Sequence, residues 1–258
     1  MNKPDSTRLF LLLAILVALV VVATTALYNY RANRWGIYAE DYQTFHGRIR
    51  PNRHWMKTDF FIREDHGYDC VLFGSSRVAA IDTRKLDGSC YNFTHSGGLP
   101  VNHLSALKIF IERGIPLKRV YLGLDDISYQ WDPGDSSDQY MRRGYPSDLL
   151  EWFEAQIFYL LTPMSLRDLG LVTGEVSLYP MPWHVRDPMQ DWQRIRGESL
   201  EFYDDPVGQD ARFRQLRGTM EAGTFHGAQA AESVREFIDL AKAHGIEVIL
   251  FFNPMHYK

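Results

Sequence analysis

Cysteine is nearly absent: Cys70 and Cys90 are the only two in 258 residues, and no Cys-x-x-Cys occurs. None of the nine histidines is spaced to form a zinc site with a second ligand pair, so no metal is expected. The chain has neither a Gly-x-Gly-x-x-Gly nor a Walker phosphate loop, which leaves a nucleotide- or flavin-binding module as a weak reading and implies no cofactor. Basic residues are not in excess. The 28 Lys and Arg against 32 Asp and Glu give a net charge of −4, which argues against a nucleic-acid partner. There is no internal repeat and no low-complexity tract, and 45% apolar with 14% aromatic residues excludes disordered, collagen-like and coiled-coil chains.

What the chain has is one long apolar run. Leu9 to Leu27 carries no charge, and as a helix rising about 1.5 Å per residue it spans about 28 Å, close to the hydrocarbon core of a bilayer. The run exceeds the usual core of a signal peptide, so residues 9–27 are expected to stay as an anchor within an N-terminal segment, 1–30, that contacts lipid. A cleaved signal at Thr24-Thr25-Ala26 is the alternative. Lys3 and Arg8 before the run are matched by Arg31 and Arg34 after it, so charge does not set the orientation. The even cysteine count permits a disulfide without requiring one; two buried free thiols is the plainer expectation.

Residues 31–66 read as a juxtamembrane lead-in. Tyr38 to Arg63 is polar, aromatic and irregular, and Arg48, Arg50, Arg53 and Lys57 are expected on a solvated face near headgroups. From 67 to 258 the pattern is α/β. Short apolar strands are expected at Asp69–Gly74, Cys90–Thr94, Arg119–Asp125 and Ile246–Phe252. Helices are expected from Pro100 to Gly114 and before Gly245, the latter with Val234, Phe237, Ile238 and Ala241 on one face. Strands alternating with helices imply a mostly parallel sheet covered on both faces. Residues at about 127–227 form an aromatic-rich insertion with a helix at Asp148–Leu161. Its Trp131, Trp152, Trp183 and Trp192 read as the insertion's own core or as a stacking platform for sugar rings. The Asn92-Phe-Thr94 sequon falls in a buried strand, where glycosylation is not expected.

In an open parallel sheet, ligands bind beyond the carboxyl ends of the strands. Those ends carry Gly74-Ser75-Ser76-Arg77, His95-Ser96-Gly97-Gly98, Gly123-Leu124-Asp125-Asp126 and Asn253-Pro254-Met255-His256. A serine on a tight turn after a strand can be a nucleophile if a base takes its proton and N–H donors meet the oxyanion; such a serine can equally cap the next helix.

The combination resembles the SGNH (GDSL-like) hydrolase superfamily over roughly Asp69 to Asp126 and, more weakly, Ile246 to His256. It looks closest to the branch with Gly-Ser-Ser in place of Gly-Asp-Ser, which includes membrane-anchored proteins of cell-envelope and exopolysaccharide acylation. The resemblance implies a three-layer α/β/α sandwich of flavodoxin-like type and a soluble domain outside the cytoplasmic membrane. It also implies a polysaccharide or related acylated substrate, a membrane acyltransferase as partner, Ser76 as nucleophile, Gly97 as oxyanion glycine and Gly123-Leu124-Asp125-Asp126 as the Gly-x-Asn-Asp block. Asp125 departs from the donor Asn, since an ionised carboxylate only accepts. No Asp-x-x-His occurs; the nearest spelling ends in His256, which would need Asp125 to orient it. Ser75 is the rival nucleophile, Arg77 a candidate for binding an anion or pairing with a carboxylate, and His95 a substitute base. Two functions therefore compete: a serine-dependent esterase or O-acyltransferase, and a non-catalytic, degenerate or truncated, membrane-tethered binding module.

Overall fold

A computed structural model of the chain describes residues 6–33, 35–38, 45–46, 51–125, 127–130, 140, 143–163, 182–183, 185 and 226–252. The apolar run lies in helix α1, Ser6–Ala32. Its Thr7–Ala32 portion is long and apolar enough to cross a membrane, and the most apolar 18-residue window within it is not buried inside the protein. Nothing in the domain covers its leucines and valines, which stand exposed on every side.

The next described helix corrects the reading of the lead-in. Residues 53–63, expected irregular, form α2, Arg53–Arg63, started by Asn52, whose side chain accepts from Trp55 N–H. Trp55, Met56, Phe60 and Phe61 turn inward, and Lys57, expected at the surface, is buried with them. Lys57 and its basic neighbours Arg48, Arg50 and Arg53 masked in sequence an apolar face wide enough to fill one side of the core. Arg53 is half-buried, while Arg48 and Arg50 lie outside the described residues.

The domain is built on four parallel strands: β2 (Cys70–Phe73), β3 (Cys90–Asn92), β4 (Arg119–Leu124) and β6 (Glu247–Phe252), in the order β3-β2-β4-β6. Two further two-residue strands, β1 (Phe45–His46) and β5 (Pro182–Trp183), pair antiparallel apart from that sheet. The helices between the main strands are α3 (Pro100–Glu112), α4 (Ile127–Gln130), α5 (Leu149–Leu160) and α6 (Gly227–Ala243). The four strands, α3 and α5 match the expected elements to within two residues at each end, and α6 contains the expected face of Val234, Phe237, Ile238 and Ala241 and ends two residues before Gly245.

Strand alternation splits the core. Val71, Phe73, Tyr91, Val120 and Leu122 face α2, α3 and α6, where they meet Phe61, Leu107, Phe110 and Phe237. Cys70, Leu72, Cys90 and Tyr121 face the other way, toward Val78, Ile81 and Leu86. Among the described residues that second face is covered by two 3₁₀ turns, Val78–Ala80 and Thr83–Lys85, and by no α-helix. The chain leaves β2 toward β3 in one direction and returns past it to β4 in the other. Right-handed crossovers taken in opposite directions must lie on opposite faces, which puts the 3₁₀ segment and α3 on their respective sides.

The register sets Cys70 opposite Cys90, and the two are joined in a disulfide with Cα atoms 4.2 Å apart. The expectation of two free thiols is therefore corrected: parallel neighbours in this register bring both side chains to the same face. The bridge closes a loop of sequence separation 20. Its reduction in the full-length protein is expected to lower unfolding stability by about 3 kcal/mol, read as a drop in denaturant midpoint with reductant, and a Cys70→Ser, Cys90→Ser variant should show the same loss without reductant.

Candidate active site at the switch point of the sheet

Where strand order reverses, the loops leaving β2 and β4 diverge at the carboxyl ends, the position at which open α/β sheets bind ligands. There the turn after β2 and the loop after β4 meet through Ser75 and Asp125. Ser75 Oγ donates to Asp125 Oδ2, and both residues are buried. Ser75 Oγ also accepts from Arg77 N–H at 3.1 Å, and Ser75 forms a lone parallel bridge with His95 at the end of β3. Asp125 Oδ1 accepts from Ser128 N–H at 3.3 Å and from Ser128 Oγ at 3.4 Å, while Asp125 N–H donates to Ser128 Oγ at 3.2 Å. One carboxylate therefore ties the turn after β2 to the start of α4.

The partner of Asp125 is thus Ser75. Ser76 stands next to it, half-buried, as does Arg77. In every side-chain bond described, Asp125 acts as an acceptor, the role its charge dictates. Gly97 is buried at φ +64°, a left-handed conformation that glycine adopts without strain. The N–H of Gly98 is already used, donating to His95 O at 3.2 Å to close the turn, which leaves Gly97 as the glycine free for an oxyanion role. Gly98 serves packing: a Cβ there would lie 2.7 Å from Gly74 O and 2.8 Å from the His103 ring. Gly123, expected beside the substrate, sits within β4 under Val78, where a Cβ would come within 2.7 Å of that side chain; its smallness serves the core. His256 and Asp126 lie outside the described residues, as do Trp131 and Trp192. Trp152 is exposed on α5. Asn92 is buried and donates to Ala79 O, in keeping with its place in a strand. No group of three or more metal-ligating side chains that could hold a metal occurs among the described residues.

Behind this turn lies a cluster that sequence reasoning missed. His54 on α2, His95 and His103 on α3 are all buried, with ring centroids 5.1 Å apart between His54 and His95 and 5.3 Å between His95 and His103. His54 Nε2 bonds Asn102 O at 3.1 Å, yet His54 Nδ1, His95 Nε2 and both ring nitrogens of His103 have no partner. Lys57 reaches into the same region, its Nζ donating to Asn92 O and Thr94 O at 2.7 Å each. The signal available in sequence was helical phase: His103 shares a face with Leu107 and Phe110, and His54 with Phe61. Burial drives the His54 imidazole down to about 4, partly offset by its bond to Asn102. Burial, then His54, drives His103 down to about 3. His95 falls well below the ordinary range through burial, His54, His103 and Lys57. A ring held neutral in this way is poorly matched to taking a proton near neutral pH, which counts against His95 as a substitute base.

Neither a family model, a curated protein nor a solved structure matches the chain.

The three rings stay neutral in the folded domain, whereas the unfolded chain protonates them near 6.5. Stability is therefore complete above that pH and is lost as pH falls below it. Each ring costs about 1.4 kcal/mol per pH unit, or about 2 kcal/mol at pH 5. The denaturant midpoint of the full chain is expected to fall steadily between pH 6.5 and 4.5, and a His103→Leu variant should show a shallower fall. A flat profile would show that the rings are not buried neutral.

Proposed function

We propose that this chain is a membrane-anchored SGNH-type protein, with a three-layer α/β/α domain held outside the cytoplasmic membrane by α1. It acts on an envelope polysaccharide or related acylated polymer as an esterase or O-acyltransferase. In this reading Ser76 Oγ attacks the acyl carbonyl, and its proton passes to a base, for which His256 is the candidate. The oxyanion is met by Gly97 N–H and collapses to break the donor's acyl C–O bond, and the leaving alcohol takes the proton from the base. The acyl group then moves from Ser76 to water or a sugar hydroxyl, whose proton the base returns to Ser76 Oγ. Ser75 and Asp125 hold the turn in place, and Arg77 lies beside it as a candidate anion ligand. A membrane acyltransferase is the partner that the resemblance implies.

The observation that carries the reading is the Ser75–Asp125 bond, with the Gly97 turn alongside, at the point where strand order reverses. The order of β3-β2-β4-β6, counted along the chain as 2-1-3-4, is that of flavodoxin-like sheets. The Cys70–Cys90 disulfide fits an oxidising compartment. A second reading, a binding module without catalysis, is favoured by the same carboxylate, since Asp125 has no hydrogen to offer an oxyanion and is already engaged by Ser75.

Labelling of the full chain in membranes by a serine-reactive fluorophosphonate separates the two. Loss of labelling in Ser76→Ala with retention in Ser75→Ala is the expected outcome, and parallel loss in His256→Ala would identify the base. No labelling of folded wild-type protein would sink serine catalysis and leave the binding module.

A further inference from the structure

Helix α5 has two opposed faces, and both are apolar. Ala155 and Tyr159 are buried against Trp35, Trp55 and Tyr145. On the opposite side Leu149, Phe153, Ile157 and Leu161 recur every fourth residue, joined by Leu150, and these five are between 44% and 69% exposed. At 3.6 residues per turn they make one continuous stripe. The charged groups lie off it. Glu154 flanks the stripe and pairs with Arg143 at 3.9 Å, and Glu151 is drawn to the helix start, where it accepts from Ser147 N–H and Oγ at 2.8 Å. An exposed stripe of this kind on a water-soluble face is a liability that marks an interaction surface.

Its position says what covers it. The carboxyl end of α5 is fixed to the last turns of α1: Asn29, fully buried, donates through Nδ2 to Leu160 O and Thr162 O at 2.9 Å each. Around that junction α1 carries Tyr28, Tyr30 and Arg31, the residue types that settle at the headgroup level. The carboxyl end of the stripe, at Leu161, therefore adjoins the last turns of the candidate membrane helix.

We propose that α5 is an interfacial helix that lays Leu149, Leu150, Phe153, Ile157 and Leu161 into the headgroup–acyl boundary of the leaflet from which α1 emerges. This rests on the reading of α1 as a membrane anchor and is independent of the serine chemistry. The lipid surface is preferred over a second copy because the end of α5 is attached to the last turns of α1, and it needs no sequence-specific partner.

The test uses the full chain in nanodiscs. The native cysteines are bonded to one another, so a single introduced cysteine takes a nitroxide label uniquely. Labels at Phe153→Cys and Ile157→Cys report the stripe, Val17→Cys reports α1, and Lys242→Cys on α6 reports exposed protein surface. Expected are loss of collisional accessibility to a water-soluble nickel chelate and gain of accessibility to oxygen at 153 and 157, at a depth shallower than 17, with the reverse at 242. If Phe153→Cys or Ile157→Cys fails to fold, Leu149→Cys and Leu161→Cys sample the same stripe. Lipid-like behaviour at 17 with water-like behaviour at 153 and 157 would overturn the inference and leave the anchor intact. Shielding at 153 and 157 from both reagents would also overturn it. If that shielding grows with the number of copies per disc, a second copy covers the face; if it does not, the chain's own residues do. Water-like behaviour at 17 would remove the anchor and the inference together.

Discussion

A strand that is apolar on both sides must be covered on both sides and paired along both edges, and β2 is that strand. All four of its residues are fully buried. β3 pairs with one edge and β4 with the other, both parallel. Parallel pairing forbids tight hairpins, so each connection must cross a face, and the two crossovers must take opposite faces. The chain therefore diverges at the carboxyl end of β2. That divergence is the geometric consequence of satisfying the strand, whatever chemistry later uses it. The backbone of Ser75 continues the β2 ladder by one more bridge, to His95, and only then turns away.

The polar residues behind that end are buried, and this restricts what they can be. Lys57 and three imidazoles share the space beyond β3. A positive charge on His95 would stand near Lys57 and the other two rings, one on His103 would stand near His54, and desolvation opposes charge on all three, so the rings are kept neutral. Four ring nitrogens without partners cost stability, each about 1–3 kcal/mol on the scale of unsatisfied buried groups. Packing offsets part of this, since His54 and His103 stack edge-on or tilted against Phe93 and Phe73. Gly98 is required in the same place: its missing side chain leaves room for both the Gly74 carbonyl and the His103 ring.

The strands and α3, α5 and α6 were legible because each buries one side against a continuous core, and burial of that kind imposes a period on the residues. The strand ends were legible for the same reason: an apolar run that stops at Gly-Ser-Ser or Asp-Asp stops at the sheet's edge. Helix α2 was not legible. Its apolar residues are interrupted by His54, Lys57, Thr58 and Asp59, all buried, and polar residues satisfied inside a protein look in sequence like residues facing water. Asp59 accepts from Tyr145 Oη at 2.6 Å, and Lys57 from the same helix reaches carbonyls beyond β3. Which of two adjacent serines meets Asp125 was not legible either, because a turn after a strand points successive side chains in different directions. The pairing of Cys70 with Cys90 depended on register, a property of two strands that neither strand displays alone.

The junction between α1 and the domain is built as a joint, not as a leash. Asn52 alone makes four connections: its N–H donates to Trp35 O, its Oδ1 accepts from Trp55 N–H, and its Nδ2 donates to Arg143 O and Tyr159 Oη. Tyr159 in turn donates to Tyr140 O and packs on Trp35 and Trp55. Asn29 closes the other side by capping the end of α5. A flexible linker would let the sheet rotate freely about the end of α1, so that any face could meet the surrounding medium. A joint held by the buried Asn29 and Asn52 amides fixes one orientation instead. Both the carboxyl end of β2 and the outer stripe of α5 then keep constant directions relative to the apolar helix, and a stripe of exposed apolar residues on one side of α5 can face one medium consistently because that direction is constant.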